Sequence, residues 1–97
     1  MHSEITPDLL AHYFDVTGRA LEKAKVAPKA EEARDAARAA VALDMASRYF
    51  SDAKHFQQKG DLVNAFGALY YAHGWLDAGA RLELYDVGGD STLFTVD

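Results

Sequence analysis

Cysteine is absent from the 97 residues, and with it go disulfides, thiolate metal sites and thiol nucleophiles. A chain without thiols suits a reducing compartment, so a cytoplasmic location is expected. Proline occurs only at Pro7 and Pro28, which leaves long stretches free of the residue that breaks helices. No run approaches the ~18 uninterrupted apolar residues of a membrane span. The opening MHSEITPDLL lacks the basic-then-apolar layout of a secretory signal. Positive charge is also scarce: ten Lys and Arg are scattered among fifteen Asp and Glu, for a net charge of −5. A nucleic-acid footprint needs cations gathered on one face, so no nucleic-acid partner is expected. No Gly-rich phosphate loop, nucleophile elbow or His-Glu-x-x-His motif occurs. Nothing therefore implies a cofactor or a metal, and an enzyme is the less expected class.

What remains is helix. Nearly half of the residues are apolar and about a quarter charged, an ordinary globular profile. Thr6, Pro7 and Asp8 form an N-cap, a first helical position and an acidic first turn. At about 100° per residue, Leu9, Leu10, Tyr13, Phe14, Thr17, Ala20, Leu21 and Ala24 share one side of a helix over 7–26, which Pro28 ends. A second helix is expected over 29–59, with Gly60 as its left-handed cap. Its apolar face is Ala39, Ala42, Leu43, Ala46, Tyr49, Phe50, Ala53 and Phe56. Its Ala-rich start (Ala33, Ala37, Ala40, Val41) points the other way. Asp61 then caps a third helix over 62–85, and so short a connection folds helices two and three into an antiparallel hairpin. Leu62, Ala65, Leu69, Ala72, Leu76 and Ala80 form its core stripe. The expected fold is all-α: one domain over 1–97, an antiparallel up-and-down three-helix bundle with a short C-terminal tail over 86–97. The tail holds Leu93, Phe94 and Val96 and either docks or stays free.

The stretch YFSDAKHFQQKGDLVNAFGALYYAHGWLDAGARLEL, from Tyr49 to Leu84, resembles a small archaeal family known as domain of unknown function 357. The likeness rests on Tyr49 to Ala53, Lys59 to Asp61 with Asn64 and Ala65, and Tyr71 to Leu82. The resemblance implies a three-helix up-and-down bundle and supplies no activity. A second resemblance, over Leu69 to Ala72, is to the HEPN helical domains, some of which are ribonucleases with an Arg, a gap of four to six residues, and a His. Arg48 and His55 stand at such a gap. They lie mid-helix ahead of the Gly60 turn, however, and not at the start of the later helix.

Helix three carries the two surfaces of interest. Tyr70, His73, Asp77 and Arg81 fall at spacings of three and four, which makes them neighbours on one strip. A His beside a carboxylate can titrate near neutrality, so this strip is the candidate polar site, with Asp52 of helix two as a possible addition. Two ligands at i,i+4 do not make a metal site. Ala68, Tyr71, Trp75 and Leu82 widen the apolar arc beyond what a surface helix needs. Tyr71 and Trp75 are the candidate interface, since Trp and Tyr dominate interface energies. Gly74 and Gly79 each cost about 1 kcal/mol against Ala inside a helix, and close helix approach is the expected reason. The expected function is a protein–protein interaction or structural module, with a second copy or another protein as partner. The alternative is a ligand-binding or ribonuclease-type bundle using the polar strip.

Overall fold

The computed structural model describes residues 4–25 and 33–94. Within them lie three helices, α1 (Pro7–Lys25), α2 (Ala33–Gln58) and α3 (Leu62–Arg81). They pack together with no strand among the described residues. Val26, Pro28, the expected opening of α2 at 29–32 and Val96 lie outside the described residues. The N-terminus of α1 forms as its residues dictate: the Leu9 N–H donates to Thr6 Oγ1 at 3.1 Å. At the start of α3, Asp61 accepts from the Asn64 backbone N–H at 3.1 Å and from its side chain at 2.7 Å. These bonds hold the Asp61 carboxyl below its ordinary range, the side-chain bond contributing most.

Helices α2 and α3 end in the same way. At the end of α2, Gly60 takes φ 77°, its N–H reaches the Gln57 carbonyl at 3.0 Å, and the Asp61 N–H reaches Phe56 at 2.9 Å. At the end of α3, Glu83 takes φ 58°, its N–H reaches Ala80 at 3.1 Å, and the Leu84 N–H reaches Gly79 at 2.9 Å. Both are Schellman caps, in which a left-handed residue lets two backward bonds close the last carbonyls. The helix expected to run to 85 therefore stops at Arg81. The left-handed position is filled by Glu83, which carries none of the glycine signal that marked Gly60.

Helix α3 is central. It packs closely on α2 and on α1, whereas α1 and α2 touch each other much less. Alanine makes this possible: Ala20, Ala46, Ala53, Ala65 and Ala72 are all fully buried, and small side chains bring backbones near. One core cluster joins Leu10, Ala53, Ala65, Ala68 and Leu69. The other joins Ala20, Leu21, Ala24, Ala46, Leu76 and Ala80 to Leu84, Tyr85, Val87, Leu93 and Phe94. The described part of the tail thus docks, and Val87, Leu93 and Phe94 supply three of the eleven residues of this core. Phe50, on the apolar face expected of α2, is only half-buried. It packs edge-on to Phe14 of α1 at 5.7 Å, with the Lys54 ammonium 4.8 Å from its ring centroid.

The tail is locked by specific bonds. Tyr85 donates its hydroxyl to the Leu76 carbonyl at 2.5 Å. Its ring occupies the space beside Gly79, where a Cβ would lie 2.7 Å from Cε1. Further on, the Lys23 ammonium meets Asp90 Oδ2 at 2.8 Å, and Asp90 Oδ1 accepts from the backbone of Thr92 and Leu93. The Lys23 bond comes first among the causes holding the Asp90 carboxyl below its usual range.

Candidate functional site

The polar strip of α3 faces α1. Tyr70, His73 and Asp77 stand a turn apart, and the buried Thr17 of α1 comes opposite the middle of the three. Its Oγ1 lies 3.2 Å from His73 Nδ1, while His73 Nε2 lies 3.7 Å from Asp77 Oδ1, an ion pair once the ring is protonated. One turn back, Tyr13 of α1 hydrogen-bonds the Tyr70 hydroxyl, and that bond is the main cause raising the Tyr70 pKa. Tyr13, Tyr70 and Phe66 also form an aromatic cluster with centroids 4.8 to 5.7 Å apart. Asp77 reaches a second group as well: burial, with the Asp77 charge adding to it, pushes the Tyr85 phenol up to about 12.

Three of the residues named from the sequence are therefore joined in one seam. Arg81 is exposed at its far end, and Asp52 is exposed on α2, with no hydrogen bond or ion pair tying it to the strip. Thr17 and Tyr13 complete the seam from α1. Both lie on the apolar stripe of that helix, where a hydroxyl among alanines and leucines is the signal that a polar partner lies opposite. The seam is nearly closed. The space between Tyr13, Thr17, Phe66, Leu69, Tyr70 and His73 measures about 30 Å³, enough for one water and too small for a substrate. Its chemistry is that of a satisfied polar contact: the ring accepts from or donates to Thr17 and neighbours one carboxylate. Arg48 and His55 do not form a comparable pair. Both are exposed on α2, Arg48 is held by Asp44 at 2.9 Å, and the seven-position step from Arg48 to His55 spans about 10 Å along the helix axis. Among the described residues, no three His, Asp or Glu side chains converge as a metal site.

The other face of α3 is open. Tyr71 is 65% exposed, Val63 and Leu82 are each 70% exposed, and Trp75 is half-covered. Tyr71 stacks on Tyr49 of α2 with centroids 5.1 Å apart and planes 19° apart, which fixes its ring upright at the surface. Gly67, Tyr70, Tyr71, Gly74, Trp75 and Ala78 line a shallow apolar groove of about 590 Å³. Trp75 and Ala78 also border a second hollow of about 260 Å³, shared with Arg38, Val41 and Leu82. The two run together along most of α3. Gly67 and Gly74 have nothing within 4 Å of where a Cβ would sit, so the bundle itself makes no use of their smallness. Gly67 carried no signal of its own in the sequence.

The model of the family described as protein of unknown function (DUF357) matches residues 12–85. The chain belongs to the DUF357 family. The match takes in both α3 faces, most of α1, all of α2 and the Schellman cap, and it ends at Tyr85, the residue that locks the cap. No curated protein and no solved structure matches the chain. Among the described residues, no helix is long and apolar enough to cross a membrane.

Proposed function

We propose that this DUF357 protein is a protein–protein interaction module whose working surface is the outer face of α3. The observation that carries this reading is the exposure of Tyr71 and Leu82 at 65% and 70% beside the half-covered Trp75, on a helix face with almost no charge. Leaving such residues in water forgoes about 1.5–3 kcal/mol for each large apolar side chain, which a partner recovers by covering them. Tyr and Trp are also the residues that anchor interfaces, and the stack on Tyr49 lowers the cost of ordering Tyr71. The polar strip supports a catalytic or ligand-binding reading less well, because Thr17, His73 and Asp77 satisfy one another around a space of about 30 Å³.

A photo-crosslinking amino acid placed at Tyr71 tests the reading in cells, with His55 on the exposed side of α2 as the control. Adducts of discrete mass from position 71 and none from position 55 are expected. Equal labelling at both positions would mean that the α3 face has no special partner.

A further inference from the structure

We infer that the occupant of the α3 face is α3 of a second copy of this chain, packed antiparallel across a two-fold axis between Tyr70 and Tyr71. This rests on the reading of that face as an interaction surface and names its partner.

Area is the first argument. Val41, Val63, Tyr70, Tyr71 and Leu82 are 56%, 70%, 56%, 65% and 70% exposed. With whole aromatic side chains of ~150–250 Å², these residues plus Trp75, Ala78 and the glycines offer roughly 700 Å² per copy. A standard stable interface buries about 800 Å² per partner, so two such faces come close to sufficing for each other.

Fit is the second. An isologous interface must be self-complementary, with small positions meeting the partner's surface where it comes nearest. The midpoint between Gly67 and Gly74 falls between Tyr70 and Tyr71, close to the middle of Leu62–Arg81. Antiparallel packing about that point sets Gly67 against Gly74 of the partner subunit, and the reverse, so the backbones approach at both places. Tyr71 then lies beside Tyr71 of the partner subunit on one flank of the seam, and Tyr70 beside its own counterpart on the other. Two mid-helix glycines that the bundle does not use acquire a reason.

Charge sets the direction. Arg38, which lines the second hollow and pairs with Asp35 at 3.6 Å, and Arg81, in the last turn of α3, stand toward one end of the helix, and Asp61 caps the other. A parallel two-fold would bring Arg81 against its own copy. The antiparallel one turns each basic end toward the partner's Asp61 end and opposes the helix dipoles favourably.

Sedimentation equilibrium of the full chain at micromolar concentration, and of the double variant Gly67→Leu/Gly74→Leu, tests this. The wild type is expected at twice 10.6 kDa. The double variant should return to the monomer mass with undiminished helical circular dichroism, since a Cβ at either position has open space around it and both positions face the shallow groove. The native chain has no cysteine, so Tyr71→Cys and Leu82→Cys can be introduced singly and oxidised. Position 71 should cross-link between copies and position 82 should not; cross-linking at 82 alone, or at both, would overturn the antiparallel arrangement. A wild type that stays monomeric removes the second copy as occupant and leaves the interaction reading to the photo-crosslinking experiment. A dimer indifferent to the leucines, with no adducts at position 71, removes both.

Discussion

The inner and outer sides of α3 use glycine for opposite reasons. At Gly79 the missing side chain is filled from within the molecule, because the Tyr85 ring lies where a Cβ would be and its hydroxyl reaches the Leu76 carbonyl. At Gly67 and Gly74 the missing side chain leaves open space. The first glycine is explained by the bundle; the other two reduce helix stability with no return inside it. A residue's cost and its purpose can thus lie on different molecules, and substitutions that act on one side of α3 only can separate them.

The largest effects belong to the inner side. Leu69 is 2% exposed in the middle of a core cluster, and Leu69→Ala should cost about 2–5 kcal/mol in denaturant melts. Phe50→Ala should cost less, because one face of that ring is already open to Lys54 and solvent. Equal losses at the two positions would mean that α1 and α2 close over Phe50 in solution. Gly79→Ala should come next, at about 1–3 kcal/mol, as the added methyl displaces Tyr85 from its seat. Its signature is a loss of amide protection at Leu84, Val87, Leu93 and Phe94, with α1 and α2 keeping theirs.

The same lock predicts an alkaline limb. The folded Tyr85 phenol titrates at about 12, above its ordinary value near 10. Below pH 10 both the folded and the unfolded chain hold the proton, so its contribution is fully present. Between pH 10 and 12 the unfolded chain releases the proton first and stability falls, by on the order of 2 kcal/mol in all. Tyr85→Phe should lower stability at neutral pH through the lost hydrogen bond and flatten this limb. A limb of unchanged slope in the variant would assign it to other groups. Smaller still is His73→Ala, expected to cost about 1 kcal/mol because it orphans the buried Thr17 hydroxyl. Adding Thr17→Val should recover part of that loss, and strict additivity would mean that the two side chains are not coupled.

Much of this bundle was legible because its signals are local. Thr6, Asp61 and Gly60 name their own roles, and the apolar spacing of α1 and α3 chose the buried faces correctly. The end of α3 was not legible, since a left-handed Glu83 looks like any helical glutamate until Tyr85 is seen folded back on Gly79. His73 posed a similar problem. Spacing grouped it with Tyr70 and Asp77, yet its decisive neighbour, Thr17, comes from another helix 56 residues away. The periodicity of a single helix gives the angle of a side chain and says nothing of what the adjoining helix sets opposite it.

The outer side of α3 gives the smallest and most discriminating prediction. At concentrations low enough to hold the chain monomeric, Gly67→Ala and Gly74→Ala should each raise stability, by about 0.5–1 kcal/mol. The added methyl meets nothing, and alanine loses less backbone entropy than glycine in a helix. Gly79→Ala makes the same chemical change five residues further along α3 and should move Tm the other way. As concentration rises, mass action favours whatever binds the native face, and the gain at 67 and 74 should shrink or reverse if close approach there matters to a partner copy. A gain independent of concentration would leave the open glycines without a role in self-association. A loss even at high dilution would mean that the bundle itself fills those positions in solution, and the contrast between the two sides of α3 would no longer stand.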